Sequence, residues 1–400
     1  LQAGENELFK HLDLSKSDKN ANLELSLALS YNDLDDHDKR RFRALGVFAT
    51  NSTFPLAALD AVWELQDAFM EAQTLVDAGL LERADERYSQ HPLLRAYARA
   101  LLMRENELNA VLRRHFAYYE QQHNDFNANN DEDRHPQIAA DFDNLRAALA
   151  WGSEDEPARA CDLVSALNYY MQLHQPHAMR RALLTQGYNA ALQAAYAGGQ
   201  ANTLQALGDL ELREAHYDTA RQRYTAALAL FEAIPARLGQ ANTLQALGDL
   251  ERREAHYDTA RQRYTAALAL AQRIPDLTCM MNSLIGLARL ETALSNQAAA
   301  CEYYRQLFAL TDSHPVFAGH PVTQNLRREA AAAGCGGAPE ARKEAQMEQA
   351  LAQLAQLYRQ QGEDAVRRVL QQSGVPAEII EQLIAQFKAQ LGAPPPSEEQ

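Results

Sequence analysis

The sequence predicts a mainly α-helical chain. A small domain of three helices and a short hairpin comes first, then a solenoid of helical hairpins with a forty-residue period, then a small C-terminal helical cap. Three observations predict this. Alanine, leucine, glutamine and arginine dominate and β-branched residues are few, which favours helix. The stretch Gln200–Leu230, QANTLQALGDLELREAHYDTARQRYTAALAL, recurs at Gln240–Leu270 with one change, Leu212 becoming Arg252. The N-terminal third lacks that repeat and has a different turn chemistry. Two near-identical copies cannot be two sites of different chemistry; they read as a stacking unit that presents surface.

The elements follow in chain order. Residues 1–20 read as the end of a preceding domain or a linker, and 21–103 as the first domain. Within it, Ser30, Asn32 and Asp33 precede a helix carrying Phe42, Leu45 and Val47. FPLAALDAVW and AFMEAQTLVDAGLLER follow, then LLERADERYS as a short hairpin, the layout of a winged helix. Residues 104–158 are connecting helices. Residues 159–318 form the solenoid, opening with a weaker helical pair split at Gln175–Pro176.

In the first clear repeat, Leu204, Leu207 and Leu210 mark one helix, while Tyr217, Ala220, Tyr224, Ala227 and Phe231 mark a second. The link at Ala215–His216 is short enough to force an antiparallel pair. Asn282, Ser283, Leu284, Leu287, Leu290, Ala300, Tyr304 and Leu310 continue the register into a third copy. A partial helix and Gly/Pro linker span 319–338. Residues 339–393 carry three amphipathic helices marked by Met347, Leu351, Leu354 and Tyr358; by Val366, Val369 and Leu370; and by Ile379, Ile380, Leu383 and Phe387. They read first as a solenoid cap, since an open repeat end needs one, and second as a separate interaction module. The last residues, 394–400, read as a disordered tail.

Composition narrows the function. Four hundred residues with 46% hydrophobic content support more than one core, and no apolar run is long enough to span a membrane. A net charge of −15 disfavours nucleic acid and anionic membrane as partners. No charged-then-apolar leader follows Leu1, and the missing initiator Met reads as a fragment of something longer. Cys161, Cys279, Cys301 and Cys335 are scattered, which reads as unpaired thiols in a cytoplasmic protein.

The L-x2-L-G and A-x3-Y spacing resembles the tetratricopeptide repeat, with Leu204, Leu207, Gly208, Ala220, Tyr224 and Ala227 at its packing positions. Leu204 replaces the usual Trp, Glu211 replaces the usual Tyr, and the added residues are expected in the second helix and its exit loop. SYNDL, KRRF, LGVF, LVDAGLL and YSQHPLLRAYA resemble the winged-helix domain of NB-ARC-type STAND ATPases. DFDNLRAALAW, Asp141 to Trp151, is similar to the helix joining that domain to repeats in bacterial members. The resemblance covers roughly 21–315. It implies that His91, in QHP where the family has MHD, touches the β-phosphate of ADP bound by a nucleotide-binding domain absent here. The plainer reading is that His91 caps the helix starting at Pro92.

This chain shows no convincing catalyst of its own. No GxxxxGK(S/T) loop occurs among its six lysines, nor HExxH, GxSxG or an EF-hand loop. No cofactor is expected; ADP or ATP would bind only with the absent ATPase domain. His174 and His177 in HQPH straddle a helix boundary and lack a third ligand, so no metal is expected. Asp35, Asp36, His37 and Asp38 read as a helix start favoured by the dipole. Winged helices often bind DNA, but Asp60, Glu64, Asp67, Glu71 and Asp77 make the second and third helices repel phosphate. Lys39, Arg40, Arg41 and Arg43 lie on the first helix, read first as a solvated face and second as a contact with a neighbouring domain.

The tetratricopeptide resemblance implies that the first helices line a concave face. That places Asn202, Gln205, Asp209, Arg213, Asn242, Gln245, Asp249, Arg252, Arg253, Asn282 and Arg289 where a protein or peptide ligand would bind. An Asp209–Arg213 i,i+4 pair would contribute only about 0.3–0.5 kcal/mol. Leu204, Leu207, Tyr217, Ala220 and Tyr224 are expected to be buried, as are Leu244, Leu247, Tyr257, Ala260 and Tyr264. The expectation is the ligand-sensing half of a signalling ATPase, whose second partner is the nucleotide-binding domain of its own full-length chain. A nucleotide-independent scaffold is the alternative, and a winged-helix DNA-binding regulator the third reading.

Overall fold

In a computed structural model, describing residues 31–125, 131–314, 317, 319–335, 339–373, 375 and 377–391, the first helix begins where an acidic start predicts one. Asp35 accepts the amide of Asp38 at 2.8 Å and caps α1 (Asp36–Ala44), so the acidic cluster is a helix N-terminus. The expected leading segment 1–20, the first residues of the winged domain (21–30) and the tail 394–400 lie outside the described residues. The chain divides into two compact units, Leu1–Gly239 and Gln240–Gln400.

In the first unit, a 3-10 turn (Leu45–Val47) leads to β1 (Thr53–Pro55), α2 (Leu56–Trp63), α3 (Phe69–Asp77), β2 (Glu82–Ala84) and β3 (Arg87–Ser89). The strands form an antiparallel sheet in the order β1-β3-β2, with Phe54 and Arg83 both opposite Tyr88. Gly79, at φ +68°, ends α3: its N–H and that of Leu80 return to the carbonyls of Val76 and Leu75. Phe42, Leu45, Phe48, Phe54, Leu59, Val62, Leu75 and Tyr88 build the core. Gly46 is needed there, because a Cβ would sit 2.4 Å from the backbone nitrogen of Arg99.

That close approach seats α4 (Pro92–Arg104) on the 3-10 turn. The connecting helices α5 (Leu108–His123) and α6 (His135–Asp155) follow, then α7 (Pro157–Ala166), α8 (Asn168–His174) and α9 (His177–Gln193). The break between α8 and α9 falls at Gln175–Pro176, as predicted. The hairpin α10 (Ala197–Arg213) and α11 (Tyr217–Ala233) completes this unit, both helices being 17 residues long. The first helix therefore carries as much of the repeat's length as the second. Each hairpin turn uses one left-handed residue, Ala195 and Ala215 here.

The second unit repeats the plan. α12 (Arg237–Arg253) leads into it, followed by α13 (Tyr257–Arg273), α14 (Leu277–Ala293), α15 (Gln297–Asp312) and α16 (Pro321–Ala332). Both units carry tetratricopeptide-like hairpins, and their central contact is the same. A Cβ on Gly208 would lie 2.6 Å from the ring of the fully buried Tyr224, and one on Gly248 2.7 Å from Tyr264. Leu326 and Ala330 of α16 pack with Met281, Leu284, Ala288, Tyr304 and Leu307, covering the third hairpin. α17 (Pro339–Gln372) is broken at Gly362 (φ 78°, ψ −173°), and with α18 (Ala377–Leu391) it gives three helical stretches. Tyr358, Val366, Leu370, Ile380, Ile384 and Phe387 form a core of their own, while Val369 and Ile379 stay exposed. The side chain of Met347 lies outside the described residues.

Two packing expectations are corrected. Tyr217, Leu244 and Tyr257 are half-buried, not buried. Cys301 and Cys335 are not free thiols: a disulfide joins α15 to the residue just beyond the α16 turn, across Cα atoms 4.7 Å apart. Their 34-residue separation hid a proximity that the packing of α16 creates. Cys161 and Cys279 are free and buried.

Candidate functional site

The first candidate is the seam between the sheet and the connecting helices. Asp141 of α6 is 1% exposed in its side chain, and it meets an arginine and a histidine. The Arg87 guanidinium donates to it at 2.6 Å from β3, and His123 Nε2 lies 3.3 Å away on α5. Three residues on, Asn144 accepts from the amide of Ala49 (2.7 Å) and the Ser52 hydroxyl (3.2 Å), and donates to the Thr53 carbonyl (3.0 Å). One helical turn thus fastens the strand, the hairpin and α5 together. DFDNLRAALAW marks this stretch in the sequence, but its partners are read only from the fold.

His91 sits just beyond β3, exposed, and its Nδ1 accepts the amide of Leu93 at 3.3 Å. His320 does the same at the start of α16, accepting from Val322 at 3.3 Å. A His-Pro helix cap is therefore a device this chain uses twice.

The residues assigned to the ligand face are placed unevenly. Asn202, Arg213, Arg253, Asn282 and Arg289 are exposed; Gln205, Asp209, Asn242, Gln245, Asp249 and Arg252 are half-buried. Asp209 accepts the Tyr224 hydroxyl at 2.7 Å, and Asp249 that of Tyr264 at 2.7 Å. The expected Asp209–Arg213 pair does not form, because the carboxylate turns inward to satisfy a buried phenol. Arg213 has no hydrogen-bond or ion-pair partner among the described residues. Arg252 lies 3.9 Å from Asp249, and Gln245 reaches the same carboxylate at 3.4 Å. Arg289 is gripped by Glu329 through two bonds of 2.8 and 2.9 Å, and the Tyr304 hydroxyl donates to Glu329 at 3.0 Å.

Sequence reasoning missed what Glu211 does in the place of the usual tyrosine. The residue is 5% exposed, paired with Arg181 of the preceding hairpin and with His216 Nδ1 at 2.9 Å. Burial pushes its carboxyl up, but His216 and Arg181 outweigh that and leave it below the usual range. In the second unit Arg261 holds buried Glu291 at 2.6 Å, thirty residues on as before, and Glu291 raises the arginine's pKa. A signal existed: an acid in an apolar position calls for a cation nearby.

Glu211, Glu214 and His216 offer ligand atoms within 4.8 Å of one another, as do Glu251, Glu254 and His256. In the first set Arg181 pairs with both carboxylates and already supplies the positive charge. The two histidines of HQPH part company: His174 Nε2 meets His135 Nδ1 at 2.8 Å, and His177 Nδ1 meets Glu214 at 3.0 Å.

No family model matches the chain, and no curated protein matches it. Among solved structures it is similar to a signal transduction ATPase with numerous domains (STAND) carrying a tetratricopeptide repeat sensor, from Pyrococcus horikoshii. The identity is 14% and the TM-score 0.40, over 90% of this chain and 63% of that one. It is similar to BtubC (BKLC) from P. vanneervenii at 14% identity and TM-score 0.44, over 67% and 95% of the two chains. Aspartyl phosphate phosphatase F from Bacillus subtilis matches at 12% identity and TM-score 0.49, over 86% of each. The chain thus spans less than two thirds of the first of these proteins. Function has to be argued from the chain's own residues.

Proposed function

We propose that this chain recognises a protein or peptide through the first helices of its repeats and relays that event to the N-terminal module. The observation that carries the reading is the division of labour within each first helix. Leu204, Leu207, Leu247 and the two glycines pack inward, while Asn202, Arg213 and Arg253 are exposed and Gln205, Asn242 and Gln245 are half-buried. The chain acts by binding, with no chemistry and no cofactor of its own. Among the described residues no helix is long and apolar enough to cross a membrane.

The test is affinity capture with the intact chain beside an Arg213→Glu/Arg253→Glu variant, with both chains' stability measured. Exposed charge reversals should change stability by no more than about 0.5 kcal/mol per site, yet remove specific partners from the captured set. An unchanged set would take these arginines out of the site.

By resemblance, the helix–strand–helix–helix–hairpin module would be a winged helix that restrains a nucleotide-binding domain, with His91 meeting the β-phosphate of ADP. In a protein carrying that domain, His91→Ala should lower ADP occupancy and raise basal signalling; wild-type occupancy would leave His91 as a cap. A nucleotide-independent scaffold is favoured by one observation, the identical cap at His320. Duplex DNA is not the partner. Between Phe54 and Leu80 the chain carries Asp60, Glu64, Asp67, Glu71 and Asp77 and no Lys or Arg, and among the described residues only Glu64 and Glu71 are offset, by Arg114 and Arg41. A sequence-dependent, salt-resistant gel shift by this chain would overturn that.

A further inference from the structure

Arg180 of α9 is 1% exposed, the largest of the fully buried side chains. In the forty-residue register it stands where later repeats have Ala220, Ala260 and Ala300, and its partner Asn168 stands where they have Gly208, Gly248 and Ala288. The small pair of the repeat is thus exchanged for an arginine and an amide. Nε and Nη2 of Arg180 both donate to one oxygen, Asn168 Oδ1, at 3.1 and 3.0 Å. The other guanidinium donors find no acceptor, and no carboxylate lies within ion-pair distance, among the described residues.

A buried guanidinium normally has a carboxylate or phosphate in its fork, because an unpaired charge out of water is costly. Elsewhere, partly exposed arginines find carboxylates: Arg87 holds Asp141, Arg261 holds Glu291 and Arg289 holds Glu329. The other buried arginine among the described residues, Arg95, donates to the Phe48 carbonyl and the Thr50 hydroxyl. At Arg180 the nearby acid is Asp209, which is already bonded to Tyr224. Arg213, exposed and unpaired, is close enough to repel it. Burial above all, with Arg213 adding to it, holds the Arg180 guanidinium below its ordinary pKa, against the attraction of Asp209 and Tyr224. Two positive charges therefore face one joint of a chain whose net charge is −15.

We infer that this joint, between α8–α9 and α10, is a subsite for a carboxylate, held by the free edge of Arg180 and by Arg213. The assignment rests on the reading of the repeats as a partner-binding face. It deepens that reading by naming an acidic group as what the partner must present, either an Asp or Glu side chain or a C-terminal carboxylate. Asn168 fixes the guanidinium plane from the opposite edge, so the fork is set before the ligand arrives.

The test uses the intact chain with 15N-labelled arginine, titrated with sodium acetate against acetamide and sodium chloride at matched ionic strength. Acetate, and neither control, should shift the Arg180 side-chain signals. Arg180→Met should abolish the acetate response in the rest of the joint, and Arg213→Met should weaken it at least about tenfold. Two pentapeptides then separate the sources: a C-terminally amidated one with a central Glu, and an all-Ala one with a free C-terminus. Whichever competes with acetate names the source.

Thermal stability gives the independent readout. Arg180→Met should leave the Tm unchanged or raised, since an apolar chain replaces an unpaired buried charge. A fall in Tm together with an unmoved wild-type Arg180 signal in acetate would make the residue a structural bond to Asn168 and overturn the subsite. If partner capture still depends on Arg213 and Arg253 in that case, recognition by the repeats survives without it.

Discussion

The seam around Asp141 and the joint around Glu211 both bury a carboxylate between an arginine and a histidine, but they do so in opposite ways. Asp141 gathers Arg87 from 54 residues upstream and His123 from a neighbouring helix. Glu211 takes Arg181 from the preceding hairpin and His216 from its own turn. The first occurs once among the described residues; the second recurs, as Arg261 on Glu291 and His256 on Glu251. A one-off bond concentrates stability at a single place, where a switch can be built. A recurring bond spreads it along a solenoid, which can lose one joint and keep the rest.

The sharpest way to break that contrast is Asp141→Ala. It removes the carboxylate that Arg87 and His123 share, though Arg87 keeps its bonds to Thr53, so the first unit should lose up to about 3 kcal/mol. Both tryptophans, Trp63 and Trp151, belong to this unit, so their fluorescence in urea isolates its transition. A midpoint that moves by less than the equivalent of 1 kcal/mol would mean that the seam is not where stability is concentrated.

Acid should act on the same seam. His115 of α5 is fully buried against Phe48 and Tyr119, with no hydrogen-bond partner for either ring nitrogen. Burial pushes its pKa from 6.5 down to about 3, against Asn144 and helped by Arg95 and Arg99. The unfolded imidazole takes a proton first, so this contribution is complete above pH 6.5 and lost as the pH falls from 6.5 towards 3. The slope is roughly 1.4 kcal/mol per pH unit, about 2 kcal/mol by pH 5. His115→Leu should flatten that part of the stability profile, and equal slopes in both proteins would remove His115 as its source.

How much of this was legible in the sequence follows from what periodicity encodes. Spacing tells which face of a helix is buried, so the hairpins, the break at Gln175–Pro176 and the burial of Tyr224 could be read directly. It does not tell which polar group crosses to which neighbour. Glu211 is visible as a departure from the repeat, but its cation lies thirty residues upstream, on a helix whose azimuth only the packed structure sets. Asp209 reads as an exposed acid and is instead the acceptor of a buried phenol. Arg180 is half hidden: in the run HAMRRALL the forty-residue register sets it, not Arg181, at the buried alanine position of the later repeats, but its partner Asn168 is read only from the fold.

Within the repeats the effects should be smaller and should come in matching pairs. Gly208→Ala sets a methyl 2.6 Å from a ring that the bond to Asp209 prevents from swinging away. Overpacking costs about 1–3 kcal/mol and the better helix former returns up to about 1, so a net loss of about 1 kcal/mol is expected. Gly248→Ala should cost the same, since its methyl would meet Tyr264 at 2.7 Å. Thermal denaturation followed by circular dichroism measures both. If the two losses differ by more than about 1 kcal/mol, the copies are not energetically equivalent, and the contrast with the seam weakens.

The smallest change should be a gain. Each hairpin turn places a residue with a Cβ in the left-handed region: Ala215 at φ 60°, Ala255 at 61° and Ser295 at 57°. The fold demands this conformation, because the amides of Ala215 and His216 turn back onto the carbonyls of Leu212 and Glu211 to close the first helix. An L-residue there is strained by roughly 1–2 kcal/mol, whereas glycine is not, though it loses more backbone entropy on folding, about 0.5–1 kcal/mol. Ala215→Gly should therefore stabilise by about 0.5 kcal/mol, and adding Ala255→Gly should double the gain, because the two turns share no partner. The prediction also isolates the turn from the ion pair beside it: His216 holds Glu211 through its side chain, which glycine at 215 leaves in place. A loss of stability in the single variants would show that glycine's extra freedom loosens the His216–Glu211 contact by more than the relieved strain returns.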